Sequence, residues 1–345
     1  MNSLQLGNLV VEPGQIGKGS LGSVEMADGT AVQVPVMIAR GVESGPTFVV
    51  TASVHGNEVS CVWSLIEVFK SIDPGHMKGT LIGVMVANPL VFQIGAYVTP
   101  YDNLNLSGPH FSPTQPDGRQ THRLAAAVNE ALEIADMVVD MHANPLPSMP
   151  FTIKDILSNY KDEETAAKTQ KMAEAFGFTI IEMPYKANQP ASIRATSTAN
   201  GIPALTPELA GNIYIEESVC RPGTIGLLNI MKAFDMITGE IESQTIEVLN
   251  GHFRFAGRLR ANRGGLMVVK KRPGELVAKD ETVIDIVNIY GDVVEEIKMP
   301  REGYCWSFTG GIGGTHAISE GDNLAYFFVE LTGVDDPEEA ASKWF

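Results

Sequence analysis

Two histidines and a glutamate occur in a pattern that suits a zinc-dependent hydrolase. His55 and Glu58 are separated by two residues in the segment His-Gly-Asn-Glu, so an imidazole and a carboxylate can converge on one ion from a single short loop. His142 follows the largely apolar residues 137–141 and can supply a third ligand, which leaves a fourth position open for water. Either motif alone is weak, because a histidine after a strand is as often structural as it is a ligand. Together they predict one Zn²⁺ per chain, bound by these three residues.

Glu208 is the candidate general base. It lies in residues 202–213, a segment that carries no other charge. A carboxylate in such apolar surroundings must pair with a partner or shift its pKa. Beside zinc, it can take a proton from the attacking water and pass it to the leaving nitrogen of an amide. The alternative is a surface or helix-capping glutamate, and the predicted zinc ligands favour the base.

The residues before each predicted histidine ligand are typical of buried strands. Residues 47–53 and 137–141 are largely apolar and rich in β-branched side chains, and they place His55 and His142 at their carboxyl ends. Glu58 begins a helix whose apolar residues recur at helical spacing. Since strands and helices alternate in this part of the chain, we expect an α/β fold with a mainly parallel sheet. Ligands bind outside the carboxyl ends of strands in such sheets, so the two histidines should be neighbours.

The same signals predict further elements. The predicted strands cover residues 80–87, 179–183 and 202–205, and the predicted helices cover residues 121–134, 163–176 and 223–237. Residues 90–120 have the composition of a long loop, and a loop of that length within a compact domain is usually functional.

The composition limits the classes of protein to which the chain can belong. With 345 residues, 44% of them hydrophobic, the chain is long enough for a catalytic domain and a second, smaller module. The net charge of −16 argues against a nucleic-acid partner, because binding a polyanion needs a basic surface. The sequence shows neither a membrane span nor a secretion signal. Three cysteines without disulfide or metal-site spacing fit a reducing compartment, so we expect a cytoplasmic protein that does not contact a membrane.

Four motifs along the chain resemble those of one enzyme family. They are His55-Gly-Asn-Glu58, Asn88-Pro89, Asp140-Met-His142 and Pro207-Glu-Leu-Ala-Gly211. In this order they resemble the succinylglutamate desuccinylase/aspartoacylase family, a branch of the zinc carboxypeptidase-like metallohydrolases. The resemblance implies a zinc carboxypeptidase-like mixed sheet flanked by helices, with Glu208 as the general base. It also implies a small-molecule amide as the substrate.

The C-terminal residues differ in character from the rest of the chain. After Asn250 the sequence consists of short β-rich runs separated by glycines, which predicts a smaller all-β domain. Its turns resemble the barrel-sandwich domain of the subgroup closest to the N-acetyl-diaminobutyrate deacetylases. We therefore predict an N-terminal β-rich extension over residues 1–30, a catalytic domain over residues 31–245 and a C-terminal β module over residues 246–345.

Two arginines of the family pattern are missing. The D-x-N-L-N-R segment of the family ends at Leu106 here, and its G-x-R segment ends at Tyr97. The resemblance assigns the first arginine to a substrate carboxylate and the second to the oxyanion, and neither replacement matches a guanidinium in charge or geometry. We expect the hydroxyl of Tyr97 to donate to the oxyanion instead. Asn103, Asn105 and Arg194 are the candidate substrate contacts.

The sequence favours a zinc-dependent hydrolase that cleaves the amide (N-acyl) bond of a small molecule without the usual arginine clamp on an α-carboxylate. One alternative is a metallocarboxypeptidase on short peptides, although the missing arginine at Leu106 speaks against it. Another is a non-catalytic metal- or ligand-binding relative, although retention of Glu208 with all three ligands disfavours a decayed site. A homo-oligomer is compatible with the sequence.

Overall fold

The structure, a computed structural model, describes residues 2–107, 111, 115–184, 192–308 and 316–331. The described strands are β1 (Leu4–Leu6), β2 (Leu9–Val11), β3 (Gln15–Glu25), β4 (Ala31–Arg40), β5 (Glu43–Thr51), β6 (Lys78–Val84), β7 (Met137–Asp140), β8 (His142–Asn144), β9 (Phe151–Asp155), β10 (Thr179–Met183), β11 (Ala204–Ala210), β12 (Phe253–Arg260), β13 (Gly265–Val269), β14 (Leu276–Val277), β15 (Thr282–Val287), β16 (Val293–Lys298), β17 (Gly303–Ser307), β18 (Ala317–Ile318) and β19 (Asn323–Glu330). The described α-helices are α1 (Val59–Ser71), α2 (Pro89–Phe92), α3 (Gln120–Leu132), α4 (Glu163–Phe176), α5 (Ile193–Ala199) and α6 (Glu217–Ala233). Two short 3-10 helices lie at Pro74–His76 and Leu157–Asn159.

One large mixed sheet organises the fold. Its strand order is β14-β17-β19-β12-β10-β9-β11-β7-β5-β6-β4-β3, and β8 also pairs with β11. At its centre, β5 pairs in parallel with β6 and β7, and β11 pairs in parallel with β7. The strands towards both edges are antiparallel to their neighbours. Because β5, β7 and β11 run in the same direction, their carboxyl ends meet at one edge of the sheet.

Helices cover both faces of this sheet, and the side chains of β5 show why. Phe48 and Val50 are fully buried in a cluster with residues of α1, α4 and α6. Val49, between them, is fully buried in a second cluster with residues of α3. Successive side chains of a strand point to opposite faces, so a strand that is covered on both faces requires a continuous apolar run. The predicted mixed sheet flanked by helices is therefore confirmed.

The C-terminal region is rich in β-structure, as predicted. A four-stranded sheet in the order β16-β15-β13-β18 shares one apolar cluster with β12, β14, β17 and β19. Strand β12, however, pairs in parallel with β10, so that β12, β19, β17 and β14 extend the large sheet. The division into residues 1–30, 31–245 and 246–345 stays a prediction. None of the described helices is both long and apolar enough to cross a membrane.

Helix α4 and strand β10 occupy the predicted residues, but α6 begins at Glu217 and not at residue 223. The helix therefore contains Pro222, which the prediction placed outside it. Packing overrides the local preference, because α6 contacts α1 closely at Gly223. A Cβ on Gly223 would lie 2.8 Å from Ser64 Oγ of α1.

Strand β11 is also longer than predicted. It continues to Ala210, so that Glu208 lies within the strand and not after it. Proline is normally excluded from a central strand because it lacks the N–H of the ladder. Pro207 is accommodated because the partner changes beside it: β7 pairs with β11 up to Leu205, and β8 pairs with it from Glu208 onward.

Candidate metal centre

The loop between β5 and α1 carries two of the predicted ligands. At its start Ser53 has a φ of 51°, which is uncommon for a residue other than glycine, and its Oγ donates to the carbonyl oxygen of His55 at 3.1 Å. Gly56 packs against the end of α2, where a Cβ would collide with the carbonyl oxygen of Val91. Because only glycine fits this contact, the loop can turn tightly enough to direct His55 and Glu58 towards each other.

The side chains of His55, Glu58 and His142 meet in one buried cluster, which we call the ligand cluster. Glu58 Oε1 lies 2.7 Å from His55 Nδ1, and Glu58 Oε2 lies 3.2 Å from His142 Nδ1. The potential ligand atoms all lie within 4.8 Å of one another. In a tetrahedral zinc site with bonds of about 2.0–2.2 Å, ligand atoms are separated by roughly 3.3–3.6 Å. Small side-chain movements would therefore admit an ion.

The donor atoms of the ligand cluster suit a divalent cation. Glu58 Oε2 is buried and accepts no hydrogen bond of good geometry from the described residues. A buried carboxylate oxygen without a partner is costly, and a cation among the three side chains would satisfy it. The ligand cluster can therefore bind a metal, and its two nitrogens and one carboxylate are ligands that zinc accepts.

Outer contacts orient both imidazoles. His142 Nε2 lies 3.3 Å from Asp140 Oδ2, and Thr51 Oγ1 donates to Asp140 Oδ1 at 2.6 Å. His55 Nε2 lies 3.2 Å from Asn105 Oδ1. With these acceptors, each Nε2 can keep its proton, so that each Nδ1 would have a lone pair available for a bound cation. Such outer contacts are typical of histidines that bind a metal.

The charges within the ligand cluster stabilise one another. Burial by itself would raise the pKa of Glu58, but His55 and His142 lower it to about 2. Burial by itself would lower the pKa of His142, but Glu58 and Asp140 raise it well above its ordinary value. In the metal-free protein, a proton on His142 thus offsets part of the negative charge. A divalent cation would displace that proton on binding.

Glu208 lies beside the ligand cluster because of the strand register. Its Cα is paired with that of His142 across β11 and β8. Asn144 Nδ2 donates to Glu208 Oε2 at 2.9 Å. Burial is the main cause that raises the pKa of Glu208 to about 8, against the opposing effect of His142. A nearby divalent cation would lower this pKa and so favour the carboxylate form that a base requires.

Tyr97 stacks on one of the predicted ligands. Its ring centre lies 3.8 Å from that of His55, with 14° between the ring planes. Although 57% of the residue is exposed, desolvation and the negative charge of Glu58 raise the pKa of Tyr97 to about 12. The hydroxyl is therefore protonated at neutral pH and can donate a hydrogen bond.

The other residues predicted to contact the substrate differ in their positions. Asn105 contacts the ligand cluster, as described above, whereas Asn103 is exposed in a turn with a φ of 56°. Arg194 is buried and its Nη1 lies 2.6 Å from Asp155 Oδ1, so its charge is already matched. Leu106 is fully buried in the apolar core, so this position does not face a solvent-filled pocket. The assigned roles in substrate binding stay predictions.

Sequence reasoning missed two polar residues that the structure places at the site. Asn144, which contacts Glu208, lies two positions after His142 and therefore on the same face of the strand, a signal that was available in the sequence. Thr51 reaches Asp140 only because β5 and β7 pair these two residues in register. That register is not visible in a single sequence.

A buried His-Glu-His cluster with a carboxylate beside it, at the carboxyl edge of an α/β sheet, is typical of metal-dependent hydrolases with one metal ion. The sequence profile of the succinylglutamate desuccinylase/aspartoacylase catalytic domain matches residues 44–233, and the chain belongs to this family. Membership of a family of deacylases supports an enzyme that hydrolyses acyl amides.

Solved structures share this fold over nearly the whole chain. A succinylglutamate desuccinylase/aspartoacylase from Rhodobacter sphaeroides is 24% identical, with a TM-score of 0.77 over 93% of this chain and 98% of that one. The product-bound ectoine utilization protein EutE (DoeB) from Ruegeria pomeroyi is 23% identical, with a TM-score of 0.79 over 91% and 95%. A succinylglutamate desuccinylase from a Silicibacter species is 21% identical, with a TM-score of 0.78 over 93% and 97%. No protein with a curated description matches the chain in sequence.

Proposed function

We propose that this protein is a zinc-dependent deacylase that hydrolyses the amide (N-acyl) bond of a small molecule. The observation that supports this most directly is the position of Glu208 beside the ligand cluster, whose potential ligand atoms lie within 4.8 Å of one another. Family membership supports the hydrolysis of acyl amides. We propose, beyond family membership, that the metal is zinc, that the residues have the roles given below and that the substrate is a small-molecule amide.

Each residue has a distinct role in the proposed reaction. His55, Glu58 and His142 would hold Zn²⁺, which would supply Lewis-acid activation of the substrate carbonyl and of the attacking water. Glu208 takes the proton from that water and delivers it to the leaving nitrogen. The hydrogen bond from Asn144 holds one oxygen of Glu208 and so orients the carboxylate for both transfers.

Tyr97 is the proposed donor to the oxyanion. Stacking on His55 holds its ring beside the ligand cluster, and its pKa of about 12 keeps the hydroxyl protonated. A donor aimed at the developing negative charge stabilises the transition state more than the ground state. Because the hydroxyl is neutral, we expect less stabilisation from it than from an arginine.

The substrate is proposed to lack the usual clamp on an α-carboxylate. Leu106 stands at the position of the clamp arginine in the family pattern, and it is completely buried in the core. Asn103 or Asn105 would hydrogen-bond the substrate instead, and Arg194 is a weaker candidate because it is paired with Asp155. The likeness to N-acetyl-diaminobutyrate deacetylases, a cytoplasmic location and a homo-oligomer remain predictions.

The variant Glu208→Gln tests the proposal, with Glu133→Gln as a matched control because Glu133 is exposed at the end of α3. Zinc per chain is measured together with hydrolysis of N-acetyl α-amino acids and of their primary amides. We expect both variants to retain zinc, and Glu208→Gln to lower kcat by about 10²–10⁴-fold. Glu133→Gln should hydrolyse the same substrates at the rate of the unaltered protein.

Three results would contradict parts of the proposal. Zinc binding with no Glu208-dependent hydrolysis would favour a non-catalytic binding protein. Cleavage restricted to short peptides with a free terminal carboxylate would favour a metallocarboxypeptidase. A clear preference for N-acetyl α-amino acids over their primary amides would contradict the loss of the α-carboxylate clamp.

A further inference from the structure

The C-terminal strands bring an aromatic wall to one side of the candidate metal centre. Trp306 of β17 and Tyr326 of β19 stack with ring centres 5.6 Å apart and nearly parallel planes, and we call this pair the aromatic wall. Met149, five residues after the ligand-bearing strand β8, donates its N–H to the carbonyl oxygen of Trp306 at 2.8 Å. Trp306 also stacks on Phe151 with ring centres 4.7 Å apart, and Phe151 is paired with Glu208 in the register of β9 and β11. The aromatic wall therefore adjoins the site on the side of Glu208.

Arg258 of β12 lies against the aromatic wall. It is opposite Tyr326 in the register of β12 and β19, and its guanidinium carbon lies 5.9 Å from the centre of the Tyr326 ring. Other arginines with buried side chains are matched by carboxylates: Arg254 Nη2 lies 2.8 Å from Glu182 Oε2, and Arg194 is likewise ion-paired. Arg258 is half-buried and forms no ion pair with a carboxylate of the described residues.

A guanidinium in this position is suited to an anionic ligand. Partial burial of a charge costs free energy unless a counter-charge is near, and contact with an aromatic ring offsets only part of that cost. The chain as a whole carries a net charge of −16. A substrate with an anionic group therefore needs a local cation to counter this field.

We propose that Arg258 determines substrate specificity by binding a carboxylate at the end of the substrate remote from the scissile amide. The planar guanidinium can donate two hydrogen bonds to one carboxylate, and the ring of Tyr326 supports it from one side. This inference rests on the proposed function, because it places the amide at the ligand cluster and the anionic end at the aromatic wall.

The test compares Arg258→Gln with the conservative variant Arg258→Lys and with Arg260→Gln. Arg260 is a matched control because it lies two residues further along β12, is exposed and donates to Asn323 Oδ1 at 3.1 Å. The substrates are N-acetylated ω-amino acids of increasing chain length, each compared with its own primary amide. The zinc-loaded proteins are used, and zinc content and unfolding temperature are recorded for every variant.

At one chain length, we expect the unaltered protein to have a KM for the acid about tenfold to hundredfold lower than for the amide. The ratio of the two KM values should fall towards one in Arg258→Gln, recover partly in Arg258→Lys and keep its full size in Arg260→Gln. A merely structural role would change the two KM values together and leave their ratio intact. No preference for the acid at any length, or an unchanged ratio in Arg258→Gln, overturns the proposal.

Binding without turnover separates this proposal from the proposed function. Unbranched dicarboxylates from malonate to suberate are titrated into the same zinc-loaded proteins by calorimetry. If no amide is hydrolysed but dicarboxylate affinity depends on Arg258, the proposed function fails and the carboxylate site stands. If amides are hydrolysed while neither the KM ratio nor dicarboxylate affinity depends on Arg258, the carboxylate site fails and the proposed function stands.

Discussion

Replacing Thr51 with valine would remove one hydrogen bond behind the ligand cluster while nearly preserving the side-chain volume. Thr51 Oγ1 donates to Asp140 Oδ1 at 2.6 Å, and neither residue is exposed. Asp140 in turn presents its other oxygen to His142 Nε2 at 3.3 Å. The substitution therefore leaves a buried carboxylate oxygen without its donor, on Asp140, two residues before the predicted metal ligand His142.

The expected effect follows from these contacts. A hydrogen bond to a charged group contributes about 1.5–3 kcal/mol, so the free energy of unfolding should fall by roughly that amount. The substitution also weakens metal binding, because Asp140 no longer has a fixed orientation towards His142. Residues that contact a metal ligand directly change metal affinity by about 10–100-fold. Since Thr51 acts one residue further out, we expect zinc affinity to fall about tenfold, at the lower end of that range.

Zinc affinity is measured by competition with a chelator, and stability by thermal unfolding of the metal-free protein. Thr80→Val is the matched control: Thr80 is also fully buried, bonds to the Arg40 guanidinium, and pairs with Thr47, four residues before Thr51 on β5. The control should lose stability and keep its zinc affinity. If Thr51→Val also kept the zinc affinity of the unaltered protein, Thr51 would have no part in orienting the metal ligand, and the reasoning would be refuted.

Three further predictions concern the loop, the oxyanion donor and the base. Gly56→Ala would force a Cβ onto the carbonyl oxygen of Val91, so we expect a lower unfolding temperature and less than one zinc per chain; full zinc occupancy would contradict this. Tyr97→Phe keeps the ring on His55 but loses the hydroxyl, so kcat should fall about hundredfold with zinc retained, and an unchanged kcat would remove Tyr97 from the mechanism. In the folded, metal-free protein the pKa of Glu208 is about 8, above the usual 4.5. The stability that the protonated Glu208 contributes is therefore fully present below pH 4.5 and is lost as the pH rises towards 8. The unfolding temperature should therefore fall more steeply over this range in the unaltered metal-free protein than in Glu208→Gln, and equal slopes would contradict the raised pKa.

Elements that depend on near neighbours were predictable from the sequence. Helix α4 covers the predicted residues because its ends are local: the Asp162 side chain accepts from the N–H of Thr165, and Gly177 ends the helix with a φ of 83°. The pair His55 and Glu58 is likewise local, since one short loop carries both side chains. Such contacts form between residues a few positions apart, so the sequence alone is sufficient to suggest them.

Pairing between distant strands decided the features of the site and the sheet that the sequence did not predict. Thr51 and Asp140 are 89 residues apart, and they meet only because β5 and β7 pair in one register. Pro207 is compatible with a central strand only because its partner strand changes beside it.

The sequence by itself determined the family and the three side chains that could bind a metal. Only the tertiary structure decided which outer residues orient these side chains, and that the C-terminal strands place Arg258 against Tyr326. The physical reason is that strand register depends on the packing of whole sheet faces. A slip of one residue would turn every side chain to the opposite face, and no local pattern encodes that collective choice.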